Sequence, residues 1–420
     1  MSLAATNISA RLADHERQAE DGRPSGQFPR ADKPARLMLV IYSLARGGAE
    51  RVMSTLANSW AAQGREVILV TMDKQDSDAY KLMPQINRVP LGMAASPRNT
   101  WQILWNNLRR LYILRATAKQ VRPDVVVSFT ANVNTLTVLA LLGLRMPVIV
   151  SERTDPSQMD IGKWRSRLRK VFYPRAAAVV VQTQKVLADM QRQIPGAHLA
   201  VIPNPVPHAD PDAEYLGGSM NDLLGLPAAA KIIAGMGRLD TEKGFDLLIE
   251  AFRSVFSEYP DWHLVIFGKG PALEALEAQV AATGLNNRVH LPGQVLAARM
   301  YLSQAEIFVL SSRFEGFPNV LVEAMACGCA VISFDCPSGP GEIVRNGHDG
   351  LLVKAGDVRG LAAAMRTLMV DPAHRAELGR NARQVAQRFS IERVMGLWDQ
   401  LLGETMSGRT RRLNRDGDAG

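Results

Sequence analysis

Short runs of apolar, largely β-branched residues recur along the chain, separated by stretches whose apolar positions return every three or four residues. In the first half the runs are Leu37–Tyr42, Val67–Thr71, Asp124–Ser128, Val148–Ser151, Ala178–Gln182 and Leu199–Ile202. Between them Ala49–Ala62, Trp101–Gln120 and Val133–Leu142 carry the helical period. The rhythm restarts with Lys231–Met236, His263–Phe267, Val289–Leu291, Ile307–Leu310 and Ala330–Phe334, and Pro372–Leu402 reads as helix alone. Apolar runs without alternation are strands buried on both faces, and strands alternating with helices build parallel doubly wound sheets. Two Rossmann-like α/β domains are expected.

The boundary is placed at Pro203-Asn204-Pro205-Val206-Pro207, because three prolines in five residues can join neither a helix nor a central strand. The expected organisation is a flexible tail over 1–35, a first domain over 36–205 and a second over 206–390. A terminal helix over 391–404 is expected to return to the first domain, and 405–420 to form a second tail. With 47% apolar and 21% charged residues, such cores can be filled and a disordered chain is excluded. Cys327, Cys329 and Cys336 are the only cysteines. An odd trio without a partner histidine pair argues for a reducing compartment and against both a disulfide scaffold and a metal site. The charged N-terminal residues Arg11, Asp14, Glu16 and Arg17 do not suit a signal peptide, and the longest apolar run, Leu136–Val150, is interrupted by Arg145 and Pro147.

Charge is divided unequally. Residues 36–205 hold 23 Lys and Arg against 10 Asp and Glu, whereas 206–404 hold 17 against 24. The first domain therefore expects an anionic partner. Between Ala79 and Pro123 there are eight basic residues and no acidic one. Trp164, Arg165, Arg167, Arg169 and Lys170 form a second basic cluster on a helical stretch with Leu168 and Phe172. Trp101, Leu104, Trp105, Leu108 and Tyr112 make a similar stripe. Tryptophan among cations on an amphipathic helix suits an anionic bilayer surface, although such aromatics are more often core. No nucleic-acid-reading motif is present, so nucleic acid is not expected as the partner.

Ligands of open α/β sheets sit beyond the carboxyl ends of strands, at helix N-termini. Four such turns stand out. The first, Ala45–Arg51, holds the adjacent Gly47 and Gly48. The second runs from Gly235 through Gly237, Arg238 and Lys243 to Asp246; two cations at a helix start call for an anion between them. The third, Ser311–Ala326, holds Glu315 and, eight residues on, Glu323, with Gly316, Phe317, Asn319 and Val320 opening a helix. The fourth is Ser151–Pro156, where Glu152 and Arg153 form either a ligand clamp or a structural ion pair.

The run G-R-L-D-x-E-K-G-F-D followed by S-S-R-F-E-G-F-P-N-V-L-V-E-A-M-A-C-G resembles family 4 glycosyltransferases, over roughly residues 36–404. The Gly-Gly-Ala-Glu-Arg and Ser-Glu-Arg turns and the Ser333–Pro340 segment extend the likeness. Within the family it looks most like enzymes that extend lipid-linked glycans or exopolysaccharides. The resemblance implies the GT-B fold, two Rossmann-like domains facing a central cleft, and a nucleotide-sugar as substrate with no cofactor and no metal. It assigns the catalytic set to Arg238 and Lys243, which would neutralise the departing diphosphate, and Glu315, which would hold the transferred sugar. Glu323 would bind the ribose hydroxyls. Backbone amides at Gly316, Phe317, Asn319 and Val320 would meet sugar and phosphate. Gly237, Gln294 and Val295 would complete the donor site, with the nucleobase at the Pro292–Val295 turn. Gly47 and Gly48 would press on the diphosphate from the other domain, and Glu152 and Arg153 would face the acceptor.

One departure stands out. Many relatives carry a histidine at a strand end of the first domain, whereas residues 36–197 contain none. The corresponding turn is Ser128–Asn132. No Asp-x-Asp motif follows a strand, so leaving-group charge would fall to Arg238, Lys243 and helix-end amides. The family is retaining, and on family frequency the donor base would be uracil. The expected enzyme works on the cytoplasmic face of the plasma membrane as a peripheral protein, on a polyprenyl-diphosphate-linked acceptor. Two alternatives stay open: a transferase with a soluble sugar acceptor, and a non-catalytic sugar-nucleotide-binding protein.

Overall fold

The computed structural model describes residues 35–74, 78–93, 100–154, 162–206, 218–295 and 298–417. Seven parallel strands form the first sheet: β1 (Arg36–Ile41), β2 (Glu66–Thr71), β3 (Asn87–Pro90), β4 (Val125–Phe129), β5 (Val148–Ser151), β6 (Ala178–Val181) and β7 (Leu199–Val201). Six form the second: β8 (Lys231–Met236), β9 (Trp262–Phe267), β10 (Val289–Gly293), β11 (Ile307–Leu310), β12 (Ala330–Asp335) and β13 (Leu351–Lys354). Their orders are 3-2-1-4-5-6-7 and 10-9-8-11-12-13. Each sheet reverses direction once, between β1 and β4 and between β8 and β11, and a doubly wound sheet opens its crevice at that reversal.

The helices used below are α1 (Gly48–Ala62), α2 (Thr100–Val121), α3 (Ala131–Leu141), α4 (Lys163–Phe172), α5 (Gln184–Gln193), α6 (Phe245–Arg253), α7 (Asn319–Cys327) and α8 (Ile391–Gly417). Leu37, Leu39 and Ile41 of β1 pack on the α1 side of the first sheet, and Met38 and Val40 pack on the other. Both faces are therefore core, which is why β1 reads as one apolar run. Strand β3 carries no such run, and that of β13 is only Leu351–Val353. They are edge strands, covered on fewer sides and only partly buried along their length, so the pattern did not mark them.

Helix α8 lies against the first domain. Trp398 is buried edge-on to Trp60 at 5.9 Å and stacked on Phe129 at 6.2 Å, while Trp60 Nε1 donates to Asp399 at 3.0 Å. Truncating a tryptophan so placed typically costs about 3–5 kcal/mol. The helix runs to Gly417, so a boundary at 404 cuts through it; residues 405–417 contain no proline to stop it. The expected N-terminal tail lies outside the described residues up to position 34, as do Pro207, Asp155, Pro156 and residues 418–420.

The chain crosses between domains twice, side by side: Val206 N donates to Phe389 O at 2.7 Å. A further tie comes from Glu342, whose carboxylate accepts from the backbone N–H groups of Gln184 and Lys185 at 2.8 and 2.9 Å. A second-domain anion thus meets the positive end of α5 in the first domain.

Candidate active site

The turn after β8 is built around one glycine. Asp240 accepts from Lys243 N at 3.2 Å and closes a single helical turn over Thr241–Lys243. Gly244 then takes φ +63, and a Cβ there would lie 2.1 Å from Ser311 O. Only glycine allows both the left-handed backbone and that approach. The approach is used: Ser311 Oγ donates to Lys243 O at 2.9 Å, and Lys243 Nζ reaches Glu315 Oε1 at 2.6 Å. Ser312 Oγ donates to the same oxygen at 2.6 Å. Arg313 grips both carboxylate oxygens of Asp246 at 2.9 and 2.7 Å, tying the β11 turn to the start of α6.

Arg238 and Lys243 flank this turn, but each already has a carboxylate. Arg238 Nε lies 3.0 Å from Asp240 Oδ2, with its side chain 72% exposed. The expectation that two adjacent cations require a bound anion is corrected accordingly, because the protein supplies its own counter-charges. Gly237 has ordinary contact distances around it. The tight approaches belong to Gly268 and Gly270, where a Cβ would lie 1.9 Å from Gly237 O and 2.1 Å from Leu239 O. Their Gly-Lys-Gly-Pro spacing was the signal that could have found them. Gly268 N donates to Gly293 O at 2.9 Å, which places exposed Gln294 and half-buried Val295 beside that turn.

The start of α7 has no side-chain cap. Phe317 is buried edge-on to Phe389 at 5.5 Å, and Val320 packs on the second-domain core, so these two residues offer backbone rather than side chains. Gly316 sits where a Cβ would meet Arg153 O and Thr154 Cα of the other domain at 3.0 and 2.9 Å. Asn319 Oδ1 accepts from Asn204 of the hinge at 2.8 Å. Across the cleft, α1 also begins without a side-chain cap, and a Cβ on Gly48 would lie 2.8 Å from Asn319 Nδ2. Tyr80 holds the turn by donating to Gly47 O at 2.9 Å and accepting from Gly47 N at 3.2 Å. Beside Gly47, burial raises the Glu50 carboxyl.

Glu323 is buried on α7, and its Oε1 lies 2.8 Å from Arg51 Nη1 of α1. Burial raises its carboxyl, and Arg51 works against that rise. Arg51, Tyr80 and Asn204 were missed as site residues. Arg51 stands within the Gly-Gly-Ala-Glu-Arg turn itself, but a one-dimensional reading gives no sign that it reaches Glu323, 272 positions away.

Three expectations on the first domain are corrected. Glu152 does not face the cleft: its carboxylate accepts from the Tyr173 hydroxyl inside the domain, and burial raises it. Arg153 lies 3.6 Å over the Phe129 ring and donates to Asn204 at the hinge, with burial lowering it to about 9. Arg169, named for membrane contact, is buried and donates to Gln193 at 2.8 Å. Its position on α4 faces the core because Tyr173 and Glu152 lie beneath it. Trp164, Arg165, Arg167 and Lys170 are exposed. On α2, Trp105, Leu108 and Tyr112 point outward, while the side chains of Trp101 and Leu104 lie outside the described residues. At the turn that lacks histidine, Thr130 holds φ +74, a left-handed conformation rare for a β-branched residue.

Comparisons with known proteins bear on the family and the fold. The model described as Glycosyltransferase Family 4 matches residues 46–210, and that described as Glycosyl transferases group 1 matches 223–385. An exopolysaccharide phosphotransferase of Streptomyces coelicolor is 30% identical over 74% of this chain, which spans 31% of that protein. A Campylobacter jejuni alpha-1,4-N-acetyl-D-galactosaminyltransferase, named for a diphosphoundecaprenol-linked acceptor, is 26% identical over 88% of this chain and 98% of its own. Sucrose-phosphate synthase of Thermosynechococcus elongatus superposes with TM-score 0.74 at 22% identity, over 89% of this chain and all of that one. Anabaena HepE in complex with UDP superposes with TM-score 0.70 at 20% identity, over the same shares. With a family model on each domain and the two-sheet GT-B architecture, the chain belongs to glycosyltransferase family 4.

Proposed function

We propose that the chain transfers a sugar from a nucleotide-sugar, with UDP as the nucleotide, to a polyprenyl-diphosphate-linked glycan in cell-surface polysaccharide assembly. The observation that carries this reading is the meeting of two uncapped helix starts, α1 at Gly48 and α7 at Asn319, from opposite domains. Both present free N–H groups and the positive ends of helix dipoles. Lys243 stands on the same side of the second domain, and Arg238, mostly exposed, can leave Asp240 at little cost. A diphosphate is the ligand that uses such a convergence.

In the proposed reaction the acceptor hydroxyl attacks the anomeric carbon as the bond from that carbon to the β-phosphate oxygen breaks. The leaving diphosphate takes the hydroxyl proton from the same face, so configuration is retained. Lys243, Arg238 and the amides of Gly316–Val320 stabilise its growing charge without a divalent ion. Glu315, fixed by Lys243 and Ser312, orients the sugar, and Glu323 binds the ribose.

The acceptor assignment rests on the Campylobacter relative, matched over nearly its full length, and on the outward Trp105, Tyr112 and Trp164 beside exposed cations. Both support a reading of the protein as a peripheral enzyme of the inner face of the plasma membrane. The test is transfer of radiolabelled sugar from UDP-sugars to an undecaprenyl-diphosphate oligosaccharide, with and without EDTA, and assignment of the product's anomeric configuration by NMR. Transfer only to soluble sugars would favour a transferase with a soluble acceptor, and loss of transfer in EDTA would remove the metal-independent step.

A further inference from the structure

We infer that Arg51 is a positioning residue for donor recognition: domain closure sets its guanidinium on Glu323 Oε1, leaving Oε2 for the ribose hydroxyls. The inference rests on the proposed role of Glu323. Arg51 belongs to the first turn of α1, whose backbone is held by Arg51 N donating to Gly47 O at 3.1 Å. It is the first domain's direct contribution to a carboxylate otherwise enclosed by the second. Among the described residues no protein donor reaches Oε2.

The physical need is plain. A buried carboxylate without a counter-charge tends to take up a proton, and the protonated acid turns one oxygen into a donor and loses the charge that makes it a strong acceptor for the hydroxyls of a diol. Four groups face Glu323: Arg51 from α1, Arg299 from residues 298–302, Cys327 on its own helix and Tyr80 before β3. Arg51 alone among them touches the carboxylate, at 2.8 Å; Arg299 acts from farther off. An open arrangement with α1 withdrawn would leave Glu323 less ionised and less oriented. Ribose binding and closure then favour each other by the free energy of this one pair.

The sign follows. Donor binding needs ionised Glu323, so affinity falls as pH drops through its titration. Removing Arg51 raises that titration and moves the acidic limb to higher pH. The experiment is calorimetry on the full chain from pH 5.5 to 8 with the tightest-binding of UDP, GDP and ADP, and with its 2′-deoxy form. Arg51→Met is expected to weaken binding by roughly 10- to 100-fold near pH 6 and by less at pH 8. It should also shrink the preference for ribose over 2′-deoxyribose, and Arg51→Lys should restore part of both. If Arg51→Met melts too early to measure, Arg51→Gln, which keeps a donor and loses the charge, must shift the limb in the same direction. An unshifted limb and an unchanged ribose preference, with Glu323→Gln still impaired, would overturn the role of Arg51 alone. Wild-type binding by Glu323→Gln would remove the ribose assignment and the inference with it.

Discussion

Lys243 Nζ and Glu315 Oε1 lie 2.6 Å apart, although 72 positions separate the two residues in the chain. The carboxylate is nearly buried and the ammonium partly so. In the proposed reaction this ion pair would align the cation for a diphosphate and the carboxylate for a sugar before either arrives. Preorganisation of this kind spares the reaction the cost of assembling its charges.

Lys243→Ala is expected to lower turnover at saturating donor by roughly 100-fold, corresponding to about 3 kcal/mol of leaving-group stabilisation. It should also destabilise the fold by about 1–3 kcal/mol, because Glu315 keeps only Ser312 as a partner. The two effects separate in Lys243→Met combined with Glu315→Gln. The double variant should regain most of the melting temperature and none of the turnover. Recovery of turnover would show that neither charge takes part in transfer.

Arg238→Ala should behave differently. Its partner Asp240 is reached from an exposed position, and exposed pairs contribute about 0–1 kcal/mol. The melting temperature is expected to stay near wild type while turnover falls as steeply as in Lys243→Ala. Nucleoside binding should change little. A variant with normal turnover would take Arg238 out of the reaction.

Gly244→Ala tests the architecture of the turn. At φ +63, with a Cβ 2.1 Å from Ser311 O, alanine must push the β8 and β11 turns apart. Backbone strain of this order costs about 1–3 kcal/mol before the clash is counted. Loss of melting temperature together with loss of activity is expected, with near-normal binding of free nucleoside. A neutral substitution would mean that Lys243 needs no such support.

How legible this was follows from where the information lies. Strands buried on two faces announce themselves as apolar runs, so β1, β4, β8 and β11, which frame both crevices, were placed to within a residue at each end. Edge strand β3 has no such composition, and the Leu351–Val353 run of β13 is short and only partly buried, so neither was marked. Lys243, Glu315 and Glu323 stood out as candidates because glycine-containing turns lie beside them in the sequence. Glu152 and Arg169 were misplaced because local spacing does not say whether a polar side chain turns toward solvent or toward Tyr173. Arg51 meets Glu323 and Asn204 meets Asn319 across the cleft, and such a contact leaves no periodicity.

His263 and His290 stack on β9 and β10 with their ring nitrogens 3.1 Å apart. Burial, with Arg288 nearby, lowers His263 from 6.5 to about 4. A base lowered in the fold stabilises above its unfolded value, and that stability drains as pH falls through the folded one. Stability is therefore expected to decline between about pH 6.5 and 4. His263→Phe should flatten the decline in urea titrations across that range; an unchanged slope would place the acid sensitivity elsewhere.

The last prediction concerns the outward face of α2 and α4, which both pack against α3 and so flank one surface of the first domain. Trp105, Tyr112 and Trp164 are 68%, 75% and 69% exposed there, and Arg165, Arg167 and Lys170 are exposed beside Trp164. Three large aromatics left in water beside cations suit the interface of an anionic bilayer. Each cation near such a surface adds about 1 kcal/mol, fading within a Debye length of roughly 8–10 Å. The protein should sediment with vesicles containing phosphatidylglycerol, release as salt rises and ignore phosphatidylcholine. Replacing Arg165, Arg167 and Lys170 with glutamine should weaken that binding by roughly 100-fold and leave the melting temperature unchanged. Arg169→Gln should do the reverse, because its guanidinium is buried on Gln193 beside Glu152. If the triple variant sediments like wild type, α4 is not the contact and the exposed α2 stripe becomes the surface to alter; if wild type does not sediment at all, the enzyme reaches its acceptor without docking on lipid.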